Sequence, residues 1–142
     1  MAKISSSSFW HAVGAWLQLL TAMIHGTSLF AESTPANETE KQMLALVRDY
    51  KMDMGAGFFR SFDDLFLSIS AFMTLSLFFA AAINFAAIRS TDQNMRRNII
   101  LANLVYSATA ANVFYLWAFL PPFVCLSLIA AAFAASFLRS GK

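Results

Sequence analysis

The chain contains 142 residues, of which 58% are hydrophobic and 13% charged, and its formal net charge is +2. Soluble domains carry roughly 25% charged residues, and a chain of this length cannot hide so much apolar surface from water. The net charge is small and no basic cluster resembles a nucleic-acid-binding face, so a nucleic-acid partner is not expected. We therefore expect an integral membrane protein whose main partner is the lipid bilayer.

Four apolar stretches are long enough to cross the bilayer, since a membrane-spanning helix needs about 20 predominantly apolar residues. They cover residues 9–30, 64–88, 98–119 and 121–138. Pro121 and Pro122 suit the first turn of the last helix, where a missing N–H costs nothing. The sequence predicts an all-α fold, a four-helix transmembrane bundle that forms a single membrane domain over residues 1–142.

The first stretch carries polar residues at a regular spacing. His11, Gln18 and His25 recur every seven residues, so they share one face of a helix. Polar and small side chains in membrane helices face neighbouring helices, so this face should point towards the other spans. His11 lies near the predicted inner boundary and is expected to be interfacial. The two histidines stand about 21 Å apart along the helix, so they cannot share a metal or a haem.

The first stretch could also be a cleaved signal peptide, because Lys3 and a serine run precede it. Its apolar part is longer than the roughly 7–15 residues of such a signal. A small residue is wanted at a cleavage site, whereas Leu29 stands there. We favour a retained span.

The long segment between the first two stretches predicts an amphipathic helix at residues 38–54. Asn37 followed by Glu40 reads as an N-cap with capping-box support, and Gly55 and Gly57 are expected to end the helix. The apolar stripe is formed by Met43, Val47, Tyr50 and Met54. This helix should lie on the outer surface, either as a simple seal or as a gate over a ligand site.

A candidate catalytic group lies where the second stretch begins. Ser61 is a plausible N-cap with Asp64 three residues on, and Asp63 and Asp64 both fall in the first turn, so a local structural role is sufficient for at least one of the two carboxylates. The alternative is a polar cluster under the outer helix, with a histidine that titrates near neutral pH. Its candidate residues are His25, Arg60, Asp63 and Asp64.

Amide side chains form a second candidate group, inside the predicted spans. A mid-span amide can fix a partner helix or contact a ligand, and packing is the more common role. The candidate ligand-binding residues are Gln18, Asn84, Asn103 and Asn112.

No acidic or basic residue lies in the middle of any predicted span, which disfavours an ion-coupled transporter. The sequence also lacks the common hydrolase, zinc-protease and phosphate-loop motifs. Cys125 is the single cysteine, which excludes an internal disulfide and a cysteine metal cluster. No metal or cofactor is expected.

Charge asymmetry predicts the orientation. The termini and the loop after the second stretch hold six basic residues against one acid, Asp92, whereas residues 31–64 hold four basic residues and seven acids. The six basic residues are Lys3, Arg89, Arg96, Arg97, Arg139 and Lys142. The positive-inside rule then predicts a multi-pass membrane protein with both termini in the cytoplasm and residues 31–64 outside.

Residues 10–120 resemble a group of small bacterial inner-membrane proteins of unknown function, and their layout is distantly similar to the DoxX-like four-helix proteins. The resemblance rests on layout and on a few short segments. These are His25-Gly26, Asn37 to Glu40, Arg60, Asp64-Leu65 and Asn84. It implies a bacterial inner membrane but carries no activity.

Two functions remain open. The first is a non-catalytic accessory subunit or a module that binds a small apolar ligand, with a membrane-protein partner or a second copy of the chain. The second is a membrane enzyme acting on a lipid, sterol or quinone. In that enzyme His25 is the acid–base group, an aspartate orients it and Arg60 contacts an anion.

Overall fold

The computed structural model describes residues 6–31, 33–117 and 120–140, and within these ranges it contains five helices and one small antiparallel sheet. The elements are α1 (Ser6–Ser28), α2 (Glu38–Asp49), β1 (Lys51–Asp53), β2 (Phe59–Ser61), α3 (Phe62–Arg89), α4 (Gln93–Trp117) and α5 (Leu120–Arg139). Contacts divide the chain into two compact units. The first contains Met1–Ala22 and Ser76–Lys142, and the second contains Met23–Leu75.

Three helices are long and apolar enough to span a membrane: α3, α4 over Gln93–Leu116, and α5. They correspond to the last three predicted stretches, and α5 holds Pro121 and Pro122 in its first turn. Large apolar side chains such as Phe72 and Phe79 of α3 are exposed, as lipid contact requires. The chain is therefore a transmembrane protein.

The prediction of a four-helix transmembrane bundle is wrong, because no fourth span is found among the described residues. The first predicted stretch does form a helix, α1, and its 23 residues are long enough to cross. Its composition is not apolar enough, since His11, Gln18 and His25 offset the leucines and alanines around them.

The outer amphipathic helix is shorter than predicted. α2 ends at Asp49, and residues 51–53 pair with 59–61 as an antiparallel hairpin with Met52 opposite Arg60. Gly55 and Gly57 adopt positive φ angles of 87° and 81° in the hairpin loop. These glycines serve the loop and do not end the helix, because a tight reversal needs left-handed backbone that glycine adopts without strain.

Both predicted N-caps are confirmed. Asn37 Oδ1 accepts from the Glu40 backbone N–H at 2.9 Å at the start of α2. At the start of α3, Ser61 Oγ accepts from the Asp64 N–H at 3.1 Å, and Asp64 Oδ2 accepts from the Ser61 N–H at 2.9 Å. This reciprocal pair is a capping box, and it gives Asp64 a structural role.

The core of the first unit lies mainly between α4 and α5. Ile100, Ala111, Leu126, Ile129 and Phe133 form its buried apolar cluster. α1 adds small residues to the buried interior, among them Gly14, Ala15 and Ala22. Small residues let helix backbones approach closely where lipid supplies no hydrophobic driving force.

Candidate functional site

Four polar side chains from three helices meet inside the first unit. His11 and Gln18 belong to α1, Asn84 to α3 and Asn103 to α4, and hydrogen bonds join all four. His11, Gln18 and Asn84 are fully buried, and Asn103 is half-buried. These four residues are called the polar core below.

His11 is joined to Asn84 by a hydrogen bond whose donor follows from the surrounding bonds. His11 Nε2 lies 2.8 Å from Asn84 Oδ1, and Asn84 Nδ2 donates to the backbone oxygen of Ala80 at 2.9 Å. Because an amide oxygen only accepts, the imidazole carries its proton on Nε2, and Nδ1 of the neutral ring is an acceptor. Nδ1 is buried and has no hydrogen-bond partner within the described ranges.

The three amides of the polar core satisfy one another. Asn84 Nδ2 lies 2.9 Å from Gln18 Oε1 and 3.0 Å from Asn103 Oδ1, so its two N–H groups are shared between these oxygens and that of Ala80. Gln18 Nε2 donates to Asn103 Oδ1 at 2.8 Å, and Asn103 Nδ2 donates to the backbone oxygen of Ile99 at 2.8 Å. A buried polar group without a partner costs about 1–3 kcal/mol. The hydrogen bonds among these amides avoid that cost and link α1, α3 and α4.

The environment of the polar core keeps His11 neutral. Burial lowers the pKa of His11 below its ordinary value, because desolvation disfavours the imidazolium ion. The hydrogen bond to Asn84 acts in the opposite direction, and the positive charge of Arg96 lowers the pKa further. A neutral imidazole has one N–H donor, and the single hydrogen bond from Nε2 to Asn84 Oδ1 uses it.

Close contacts hold α1 against α5 beside the polar core. The ring of Phe133 lies over Gly14, and it also meets the His11 ring edge-on with centroids 5.9 Å apart. At the start of α1, Ser7 Oγ donates to the Ser136 backbone oxygen at 3.1 Å, and Ser136 Oγ donates to the Ser7 oxygen at 2.9 Å. On the side that faces α5, the polar core is thus covered by the Phe133 ring, and the serine hydrogen bonds hold α1 to α5 beside it.

The structure brings together three of the four predicted ligand-binding residues, Gln18, Asn84 and Asn103. Asn112 is exposed and donates to the Ala108 backbone oxygen of its own helix at 2.8 Å. His11 was expected at the interface and is instead fully buried. The signal that could have placed it inside was its seven-residue spacing from Gln18, which puts both side chains on one face.

The predicted catalytic residues of the second unit are engaged locally. Asp64 belongs to the α3 capping box, and Asp63 lies 4.0 Å from Arg48 in an exposed ion pair. Arg60 donates to the neighbouring Phe59 backbone oxygen at 2.9 Å and lies 5.9 Å from the Phe58 ring centroid.

His25 is half-buried in the last turn of α1. Its Nε2 is buried without a hydrogen-bond partner in the described part of the chain. No hydrogen bond or ion pair within that part joins His25 to Asp63, Asp64 or Arg60. The catalytic arrangement of these four residues therefore stays a prediction.

Two shallow surface depressions lie beside α2, away from the polar core. One is lined by Asn37, Thr39, Glu40 and Met43. The other is wholly apolar and is lined by Leu46, Val47, Tyr50 and Phe62. Across the ranges that the structure describes, no group of three or more His, Cys, Asp or Glu side chains is arranged to hold a metal ion.

Comparison of the chain with protein-family models, with curated proteins and with solved structures finds no match. The resemblance to small bacterial membrane proteins and to the DoxX-like layout thus stays a prediction. What the chain shows by itself is a membrane protein with three apolar helices and a buried polar core that joins two of them to α1.

Proposed function

We propose that the protein is a non-catalytic membrane module, an accessory subunit or a binder of a small apolar ligand, whose polar core holds α1 to the spans α3 and α4. One observation carries this proposal. The amides of Gln18, Asn84 and Asn103 use their hydrogen bonds on one another and on backbone oxygens. A site that binds a polar substrate keeps such groups available for it.

A membrane enzyme acting on a lipid, sterol or quinone is the second candidate. In its favour, His25 Nε2 is buried without a described partner, as an acid–base group awaiting substrate would be. Against it, Asp64 caps α3 and Asp63 is exposed and pairs with Arg48. An acid–base histidine needs an orienting group within hydrogen-bond reach, so we place this function second.

We propose the bacterial inner membrane as the location, with the arginine-rich ends of α3, α4 and α5 in the cytoplasm. Arg89 ends α3, Arg96 lies near the start of α4, and Arg139 ends α5. Ser7 of α1 bonds to Ser136 of α5, so both terminal helices meet at this end. The positive-inside rule supports a cytoplasmic position for it.

Native mass spectrometry from a mild detergent tests the accessory or binding role. We expect the chain to retain a partner subunit, a second copy of itself or an apolar small molecule. The matched test of the enzyme is incubation with membrane lipid extract and quinones, followed by mass analysis of those molecules. A product that requires His25 and disappears in His25→Ala, with thermal stability unchanged, would contradict the proposal.

A further inference from the structure

Three arginines are gathered at one end of the first unit. Arg96 of α4 donates to Ser8 Oγ of α1 at 3.1 Å and to the Ser90 backbone oxygen at 2.8 Å. The guanidinium carbon of Arg97 lies 5.0 Å from the centroid of the Phe137 ring in α5. That of Arg139 lies 5.6 Å from the centroid of the Trp10 ring in α1. Arg96, Arg97 and Arg139 are called the arginine cluster.

The positive charge of the arginine cluster is not neutralised within the described chain. Both ion pairs of the described residues, Lys41–Glu38 and Arg48–Asp63, belong to the second unit. Asp92 is the one acid of the sequence from residue 76 onwards. Its Oδ1 accepts from the backbone N–H groups of residues 94 and 95 at 2.9 and 3.0 Å. The carboxylate is thereby engaged at the start of α4.

The location of the arginine cluster indicates which kind of ligand it can meet. α4 begins at Gln93 and α5 ends at Arg139, and both helices are apolar enough to span. The cluster therefore lies where these spans leave the hydrocarbon, at the depth of lipid headgroups. Trp10 beside it is an aromatic residue of the kind found at this depth.

The guanidinium groups of Arg97 and Arg139 have the chemistry that a phosphate diester requires. Both residues are exposed. Arg139 donates one hydrogen bond to the Ala135 backbone oxygen, and the side chain of Arg97 makes no hydrogen bond to any described residue. A ring face holds a guanidinium in place without neutralising it, and the planar fork of N–H donors matches two phosphate oxygens.

We propose that the arginine cluster binds the headgroup of an anionic phospholipid, with Arg97 and Arg139 contacting the phosphate and Arg96 holding α4 to α1. The site recognises the phosphate diester together with the net negative charge of the lipid. It should prefer phosphatidylglycerol to phosphatidylcholine, in which a quaternary ammonium group cancels that charge.

The test is a lipid titration of the full-length protein, followed by native mass spectrometry. Phosphatidylglycerol, phosphatidylcholine and inorganic phosphate are each added at equal concentrations. For the wild-type protein we expect selective phosphatidylglycerol adducts, without competition from inorganic phosphate. The double variant Arg97→Gln, Arg139→Gln should weaken phosphatidylglycerol binding about 25-fold, from about fivefold for each arginine near a charged lipid surface. The variant keeps the Arg96 hydrogen bonds and should fold.

Arg48→Gln is the matched control, because it removes the same charge from α2 in the second unit. It should leave phosphatidylglycerol binding unchanged. If the double variant misfolds, Arg97→Gln alone carries the test, with a loss of about fivefold. Four results overturn the proposal. They are equal binding of the two lipids, competition by inorganic phosphate, wild-type affinity in the arginine variants, and an equal loss in Arg48→Gln.

Discussion

The Phe133 ring lies so close over Gly14 that a Cβ atom added to the glycine would stand 2.9 Å from two of the ring carbons. Both residues are buried, so the ring has little room to move. This contact explains why a glycine occupies the middle of α1 despite its low helix propensity. It also holds α1 against α5 where the His11 ring meets the Phe133 ring edge-on, with centroids 5.9 Å apart.

Gly14→Ala should therefore destabilise the protein although alanine favours helix formation. Overpacking of a buried site costs about 1–3 kcal/mol. We expect a lower midpoint of thermal unfolding in detergent, measured by circular dichroism, and partial recovery when Phe133→Leu is added. Gly26→Ala is the matched control, because its Cβ would make one milder contact, 3.3 Å from the Thr74 methyl group, and should lower the midpoint less. A midpoint in Gly14→Ala equal to or above that of the wild-type protein would show that the contact between Gly14 and Phe133 is not tight.

Lowering the pH should decrease the stability of the folded first unit, because His11 is buried there. Because the pKa of His11 is lowered in the folded state, the unfolded chain takes up the proton first as the pH falls. The stabilisation is complete above the ordinary histidine pKa of about 6.5 and is lost progressively below it. Thermal unfolding between pH 8 and pH 5 measures this loss.

His11→Gln is the control for the pH dependence, because its amide can still donate to Asn84 and does not titrate. The part of the slope that belongs to His11 should disappear in this variant. An unchanged slope would assign the pH dependence to other groups.

The α3 capping box should contribute to stability and not to turnover. Ser61 is buried, and its N–H and Oγ both bond to Asp64. Ser61→Ala should cost about 1 kcal/mol, the usual value of a lost N-cap, and Asp64→Ala should destabilise the protein in the same direction because it removes the reciprocal bond. Amide hydrogen exchange should accelerate in the first turn of α3 in both variants. Asp63→Ala is the control, because its exposed ion pair contributes little. Protection that is equal in all three variants would contradict the capping role.

The length of the apolar stretches predicted the spans α3, α4 and α5 well, because predominantly apolar stretches of this length are hard to accommodate except in lipid. The N-caps at Asn37 and Ser61 could also be predicted, because each cap depends only on a hydrogen bond between residues three apart in the sequence. The hairpin after α2 was missed. Its residues fit a helical stripe at Tyr50 and Met54, and its pairing depends on Phe59–Ser61, a segment that periodicity does not connect to it.

The polar core was predicted in part. The face of α1 that carries His11 and Gln18 followed from their spacing, but which residues of other helices it meets depends on the rotation of α3 and α4. That rotation is decided by side-chain packing over the whole unit. For the same reason Asn103 and Asn112 looked equivalent in the sequence, although one joins the polar core and the other bonds to its own helix.

The most direct test of the central proposal is the stability of Asn84→Leu compared with Asn112→Leu, measured by reversible unfolding in mixed micelles. Asn84 contacts His11, Gln18 and Asn103, so its loss leaves several buried groups unpaired, whereas Asn112 bonds only to Ala108. We predict a loss of about 2 kcal/mol for Asn84→Leu and less than about 0.5 kcal/mol for Asn112→Leu. Equal stability of the two variants would contradict the claim that the polar core holds the helices together.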